Sequence, residues 1–348
     1  MQLKSAPLVS VLTPVYNGEA FLEECIESVL RQTHTDYEYI IVNNRSTDRT
    51  LDIASRYAHQ DPRIRVHTNA EFVPVIANHN IAFNLMSPNA KYCKVVSADD
   101  FIFPECLARL IECAEANPSV GIVGCYQLSG AEIRWQGFDY PRAVIPGIEM
   151  GRKTFLNGDK TFGFGSPTSL MYRADLVRGT KEFYPNASPH ADTSACFEQL
   201  TRSDFGFVFQ VLSYELKHEA TQSWTSEKLN RGASANLSDV LHYGRSYLNP
   251  QEWQEQVDSL LHAYHRYLAA NYLFASRGDE FWNYHRGRLA ELGYPLRPAA
   301  LLMAVWRELL HPLQAIGKLS KRLSAVRGKR QSRSAHQAEL ETRRVSVQ

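Results

Sequence analysis

The stretch KVVSADDFIFPE, residues 94–105, sets two adjacent carboxylates, Asp99 and Asp100, between an apolar run and a segment that restarts behind Pro104. Like charges side by side, with no cation beside them in sequence, have two readings. They favour the N-terminus of a helix that Pro104 opens, or the missing cation is a metal ion. A different concentration of charge lies further on. Lys318, Lys321, Arg322, Arg327, Lys329, Arg330 and Arg333 follow an apolar run of Leu301, Leu302, Val305, Trp306, Leu309 and Leu310. Over 301–333 that order suits an amphipathic helix on an anionic membrane, each basic residue contributing roughly 1 kcal/mol; the other reading is a packed helix with a disordered tail. Gly158, Gly163 and Gly165, within NGDKTFGFGSPTS (157–169), suit a closing hinge or a plain connector.

Elements that could position these groups follow from hydrophobic period. LVSVLTP (8–14) reads as a strand that stops at Pro14, YEYIIV (37–42) as a second, RIRVH (63–67) as a third and KYCKVV (91–96) as a fourth. Between them, 18–32 places Phe21, Leu22, Cys25, Ile26, Val29 and Leu30 on one helical face. A second helix follows a cap at Ser46 or Asp48, and a third covers 75–87. This alternation predicts an α/β fold with a mostly parallel sheet covered on both faces, and ligands in such sheets bind beyond the carboxyl ends of the strands. Asp99 and Asp100 fall there. Further strands are expected at 120–130, 168–173 and 205–216, a helix at 191–203, and a helical C-terminal segment beyond 236. At 348 residues the chain is long for one domain. The division expected is 1–235 for the sheet domain, 236–330 for the helical region and 331–348 for a disordered basic tail.

With 44% hydrophobic and 22% charged residues, the chain has material for a sizeable core. Its net charge of +1 gives no overall basic surplus, and no nucleic-acid partner is expected. The opening residues lack a continuous apolar run, six cysteines are scattered without a C-x-x-C, and no stretch of about 18 uncharged apolar residues occurs. A cytoplasmic protein is expected, with a peripheral position at the inner face of a membrane if the basic segment binds lipid.

VSVLTPVYNGEAFLEECIESVLRQT, YIIVNNRSTDRT, ANHNIAF, VVSADDFIFPECL and HADTSACFEQL occur in the order and approximate spacing of the family 2 glycosyltransferases, which the chain resembles over roughly residues 7–220. The resemblance implies the GT-A nucleotide-sugar-binding fold. It implies that Pro14, Tyr16 and Asn17 form a loop bordering the nucleotide, Tyr16 stacking on the base. In VNNRSTD, Asn44 stands where the family has an aspartate that accepts from the ring N–H of uracil, and Arg45 where it has glycine. An asparagine carbonyl can accept that bond and its amide can also donate; uracil is the first choice. Asp48 resembles a residue that caps the next helix. Asn78 would lie beneath the nucleotide, and His79 reads as a surface histidine. The family's Asp-x-Asp-Asp is here Ser97-Ala98-Asp99-Asp100. Asp99 aligns with the metal ligand and Ser97 with a lost carboxylate; Asp100, facing the opposite way in an extended backbone, would orient the loop or sugar hydroxyls. Asp192 aligns with the catalytic base, with Ala191 before it; the competing reading is a helix cap. His218 resembles a position that reaches diphosphate or metal.

The activity implied is inverting, non-processive, Mg²⁺- or Mn²⁺-dependent transfer of a sugar, from a UDP-sugar by first choice, to a saccharide or lipid-linked saccharide. The processive Gln-x-x-Arg-Trp signature is absent. Two alternatives stand beside this: a sugar nucleotidyltransferase, which usually shows a basic Gly-rich loop after the first strand where TPVYNGEAF has no basic residue, and a nucleotide-sugar-binding protein without turnover.

Overall fold

The computed structural model describes residues 8–157, 162–185, 188, 190–216, 229, 231–275 and 277–310. These fall into two compact units, with the boundary after Asp258.

The first unit is organised around a ten-stranded sheet. β1 (Val9–Val15), β2 (Tyr37–Asn43), β3 (Ile64–Thr68) and β4 (Tyr92–Val95) are parallel, in the order β3-β2-β1-β4, and α1 (Leu22–Leu30), α2 (Thr50–Gln60) and α3 (Val75–Asn84) connect them. The sheet continues through β9 (Leu170–Arg173), β6 (Val120–Ser129) and β10 (Asp204–Glu215) to the two-residue β5 (Phe101–Ile102). β9 runs against both its neighbours, while β6 and β10 are parallel, so the long strands other than β9 share one direction. β7 (Glu132–Arg134) and β8 (Val144–Ile145) add short antiparallel pairings to β6 and β10. Every residue of β1 is buried, and all of β2 except Glu38 is buried or nearly so. Strands covered on both faces read as continuous apolar runs rather than alternations. Leu22, Cys25, Ile26 and Val29 of α1 close the core from one side, along the stripe that the sequence period marks, and Leu107, Leu110 and Ile111 of α4 (Cys106–Ala116) extend it.

The end of β1 and the start of α4 differ from the sequence expectation. β1 continues through Pro14 to Val15, in register with Val42 and Asn43 of β2; its ladder to β4 ends at Leu12↔Val95, so a residue without an N–H two positions later interrupts nothing there. Pro104 lies in a turn ahead of α4 rather than within it. α5 (Gly147–Leu156), α6 (Ala174–Arg178), α7 (Ala191–Leu200) and α8 (Arg231–Tyr243) complete the helices of this unit, with the start of α9 (Pro250–Phe274).

The second unit contains the rest of α9, α10 (Asp279–Glu291) and α11 (Pro298–Leu310). Buried Tyr264 and His285 share a 2.6 Å hydrogen bond, and Phe281 packs on the His285 ring at 4.3 Å between centroids. On α11, Leu302, Met303 and Trp306 are exposed while Ala304 is buried. Among the described residues no helix is long and apolar enough to cross a membrane.

Candidate functional site

The parallel strands deliver their C-terminal residues to one edge. β1 leads into Tyr16 and Asn17, and Asn17 adopts φ 49, a left-handed conformation that asparagine tolerates better than most residues. Its Oδ1 accepts from Thr47 N at 2.8 Å, and its own N–H donates to Ser46 Oγ at 3.0 Å. Asp48 locks the same two loops. It accepts from Glu19 N at 3.0 Å, and from Thr50 N and Thr50 Oγ1 at 3.0 and 2.5 Å. Burial opposes its charge, but these bonds outweigh it and hold Asp48 below the usual carboxylate range. It secures the start of α2 from two residues upstream. Arg45, where the family has glycine, stands at φ 59. The turn therefore needs a left-handed residue, and arginine fills it with roughly 1–2 kcal/mol of strain.

Asn44 is sunk beneath this rim, 1% exposed. Its Nδ2 donates to Val73 O at 2.7 Å, and its Oδ1 accepts from Val73 N at 3.0 Å and from Asn69 Nδ2 at 2.9 Å. Pairing with both backbone groups of Val73 fixes which way the amide points. The expected uracil acceptor is thus an oxygen whose two lone pairs are already taken. Asn78, also buried, accepts from Asn69 Nδ2 at 2.8 Å and donates to Val42 O at 3.4 Å, so it too holds the floor. Asn44 and Asn69 pin the loop that carries Phe72. That ring, 59% exposed, meets the 47% exposed ring of Tyr16 edge-on with centroids 4.8 Å apart. Phe72 escapes a reading of the sequence because a single aromatic in a loop has no period to mark it.

After β4 come Ser97, Ala98, Asp99 and Asp100. Asp99 is half-buried at the edge. Asp100 is buried and turned into the protein: Thr168 Oγ1 donates to its Oδ2 at 2.6 Å, and Leu216 N to its Oδ1 at 3.1 Å. Each carboxylate oxygen of Asp100 thus accepts a bond from within the protein, one from Thr168 and one from Leu216. Burial and the Asp99 charge push it up to about 7, against the pull of those two donors. Thr168 also accepts from Ser97 N at 3.1 Å, and its carbonyl accepts from the fully buried Lys94 ammonium. Burial lowers Lys94, with the Asp100 charge among the influences opposing this. Thr168 sits where β9 begins at the same edge, and Gly165, at φ +132 ahead of it, has no room for a Cβ, which would fall 2.5 Å from Ser169 Oγ. Gly158 lies outside the described residues.

Asp192 lies in the first turn of α7, and its Oδ1 accepts from Thr193 N at 2.8 Å. Its charge acts on His79, Tyr172 and Tyr184. His79 is no surface residue: it is half-buried beside Tyr184, its ring centroid 5.6 Å from the phenol's, and burial lowers it towards the neutral imidazole. Behind Asp192 stands Asp239 of α8, 4% exposed, which accepts from Ser194 Oγ at 2.7 Å and faces His190 Nδ1 at 3.8 Å. The helices beyond residue 236 carry no catalytic signature in the sequence. The signal available is a helical stripe of Ser234, Ala235, Ser238 and Asp239, which puts an acid on the buried face. His218 and the basic residues 318–333 lie outside the described residues.

The sheet and its edge define an α/β protein whose ligand ground lies beyond the carboxyl ends of parallel strands. Residues 10–179 match the model of the family described as Glycosyl transferase family 2. It is 42% identical over 119 residues to EpsJ of Bacillus subtilis, described as an uncharacterized glycosyltransferase, covering 34% of this chain and 33% of EpsJ. The chain thus spans about a third of that relative's length. An uncharacterized glycosyltransferase of Haemophilus influenzae is 25% identical over 256 residues, 71% of this chain and 76% of that protein. Among solved structures, S. aureus TarS 1–349 in complex with UDP-GlcNAc superposes with a TM-score of 0.58 at 17% identity, over 88% of this chain and 87% of that one. The mannosyltransferase PcManGT from Pyrobaculum calidifontis, in complex with GDP-Man and Mn²⁺, gives 0.54 at 16% identity over 86% of each. The fold is GT-A.

Proposed function

We propose that this protein transfers a sugar from a nucleoside diphosphate sugar, UDP-linked by first choice, to a hydroxyl of a saccharide or lipid-linked saccharide, with inversion. The observation that supports this most is the placement of Asp99, half-buried at the carboxyl ends of the parallel strands, beside an Asp100 whose two oxygens are bonded within the protein. Among the described residues no three His, Cys, Asp or Glu side chains converge as a metal cage. A single carboxylate fits Mg²⁺ or Mn²⁺ when diphosphate oxygens supply further ligands. When bound, the ion offers Lewis-acid stabilisation to the leaving diphosphate.

The chain's own residues do the rest. Tyr16 and Phe72 give the base an aromatic wall, a sequence-tolerant contact worth roughly 1–3 kcal/mol per base. Asn44, Asn69 and Asn78 hold that wall rather than read the base. Asp192 accepts the acceptor's hydroxyl proton as its oxygen attacks C1; the bond from C1 to the phosphate oxygen breaks, and its electron pair leaves with the diphosphate. Attachment to an anionic membrane is part of the reading, supported by exposed Leu302, Met303 and Trp306 ahead of the basic run in the sequence.

The test is a thermal-shift screen against UDP-, GDP-, TDP- and CDP-sugars, with and without Mn²⁺. One nucleotide sugar should raise the melting temperature only with metal, and Asp99→Ala should abolish the rise. A rise that survives Asp99→Ala removes the metal assignment. Release of pyrophosphate instead of nucleoside diphosphate would replace sugar transfer with nucleotidyl transfer.

A further inference from the structure

Asp239 lies beyond the matched family segment, on a helix whose neighbours Leu237 and Val240 are fully buried. Burying a carboxylate is costly unless it is paired and hydrogen-bonded, and an apolar side chain would pack α8 against α7 at less expense. Its contacts all lead to one place. Oδ1 accepts from Ser194 Oγ at 2.7 Å, and Oδ2 stands 3.8 Å from His190 Nδ1. Ser194 Oγ shares a 2.8 Å hydrogen bond with Ser188 Oγ, which accepts from His190 N at 3.1 Å, and Ser194 N donates to His190 O at 2.8 Å. His190 and Ser194 stand two residues either side of Asp192, so the whole network closes around the turn that carries it.

We propose that Asp239 is a positioning residue for Asp192: through Ser194 it anchors the first turn of α7, and through His190 it keeps a positive charge beside the carboxylate. This rests on the reading of Asp192 as the base. A carboxylate accepts a proton only if it is ionised beforehand, and an incoming diphosphate opposes that ionisation; an adjacent imidazolium favours it. Among the described residues, the titratable groups facing the pair from other positions are His79 on α3, Tyr172 on β9, Tyr184, Cys196 on α7 and Tyr243 on α8. Burial lowers His79 and raises the tyrosines and the thiol, so all five are neutral near neutral pH. That leaves His190 with the two acids. Burial works against its charge, but the contact with Asp239 and the charge of Asp192 outweigh it and raise His190 above the ordinary imidazole value.

The experiment is histidine-ring NMR on the full chain across the neutral pH range, for the wild type and for Asp239→Asn and Asp192→Asn. His190 should titrate above the ordinary value, fall furthest in Asp239→Asn and less in Asp192→Asn. With the nucleotide sugar selected by the thermal screen, Asp239→Asn should lower kcat on the order of tenfold with the donor KM unchanged. The alkaline limb of its kcat profile should move to lower pH. If Asp239→Asn does not fold, His190→Gln, at a side chain 36% exposed, must show the same kcat loss and no such limb. The proposal falls if His190 titrates at or below its ordinary value, if Asp239→Asn leaves that titration in place, or if kcat and its pH profile stay those of the wild type. If Asp192→Asn retains full turnover while the titrations behave as stated, the base reading has failed and the electrostatic link has not.

Discussion

The chain carries two pairs of acids built on one plan and finished differently. In each pair one member is half-buried at the site, Asp99 or Asp192, and the other is sunk in the protein and bonded to a hydroxyl: Asp100 to Thr168, Asp239 to Ser194. Burial is the chief cause that holds Asp100 and Asp239 above the usual carboxylate range. What offsets the charge is where they part. Asp239 faces an imidazole whose protonation it favours. Asp100 has a hydroxyl, a backbone N–H and a lysine that burial pulls towards its neutral form, while Asp99 adds a further negative charge. A pair with its own cation is suited to keep a carboxylate ionised and aimed. A pair whose buried member is held by a hydroxyl and a backbone N–H is suited to fix the loop that sets Asp99 at the sheet edge.

The largest effect that could break this comparison is at Asp192. Asp192→Asn keeps the size of the side chain and an acceptor oxygen for Thr193 N, but cannot take a proton. Turnover should fall about 10²–10⁴-fold, while the metal-dependent thermal shift with the chosen nucleotide sugar stays that of the wild type. Loss of that shift would mean that Asp192 belongs to the donor side, and the two pairs would not have separate tasks.

The two pairs also differ in how far sequence reveals them. Asp99 and Asp100 are neighbours at the end of an apolar run, so the residue pattern by itself, a strand followed by a helix start, puts them at the sheet edge. The parallel order of the first four strands is legible for the same reason: long apolar runs alternate with helical stripes. Asp192 and Asp239 are joined only when α7 packs on α8, and a single acid on a buried helical face carries no mark of its partner. β5, β7 and β8 are equally invisible, because two or three residues show no period. Asn44 teaches a subtler lesson. Its position in the family pattern is legible, but its two bonds to Val73 depend on a loop from the next strand, and in the function proposed above they change its task from reading a base to holding the loop that carries Phe72.

That change gives the next prediction, of intermediate size. Phe72→Ala should weaken binding of the selected nucleotide by about tenfold, within the range for one aromatic-base contact, without lowering the melting temperature of the free protein. Asn44→Asp should do the reverse of what a base reader would do. It replaces the donor to Val73 O with a carboxylate oxygen and leaves a buried acceptor facing a buried charge, at a cost of roughly 1–3 kcal/mol in stability. Calorimetry and melting curves separate the outcomes. Tighter uracil-nucleotide binding in Asn44→Asp, at unchanged stability, would return the base contact to this residue.

The smallest effect is on pH dependence and compares the buried acids directly. Asp100 is raised from an ordinary 3.8 to about 7. The folded protein therefore holds this proton more tightly than the unfolded chain does. The stability it contributes is fully present below about 3.8 and is lost as pH climbs through about 7. An amide at this position still accepts from Leu216 N and can donate to Thr168 Oγ1, but does not ionise. In metal-free protein the melting temperature of Asp100→Asn should gain on the wild type as pH rises through that window, and then run parallel to it. Added Mn²⁺ with the nucleotide should narrow the gap from the wild-type side, because a cation beside Asp99 offsets the charge that Asp100 acquires. Parallel curves throughout would show that Asp100 stays ionised in the folded protein without a metal.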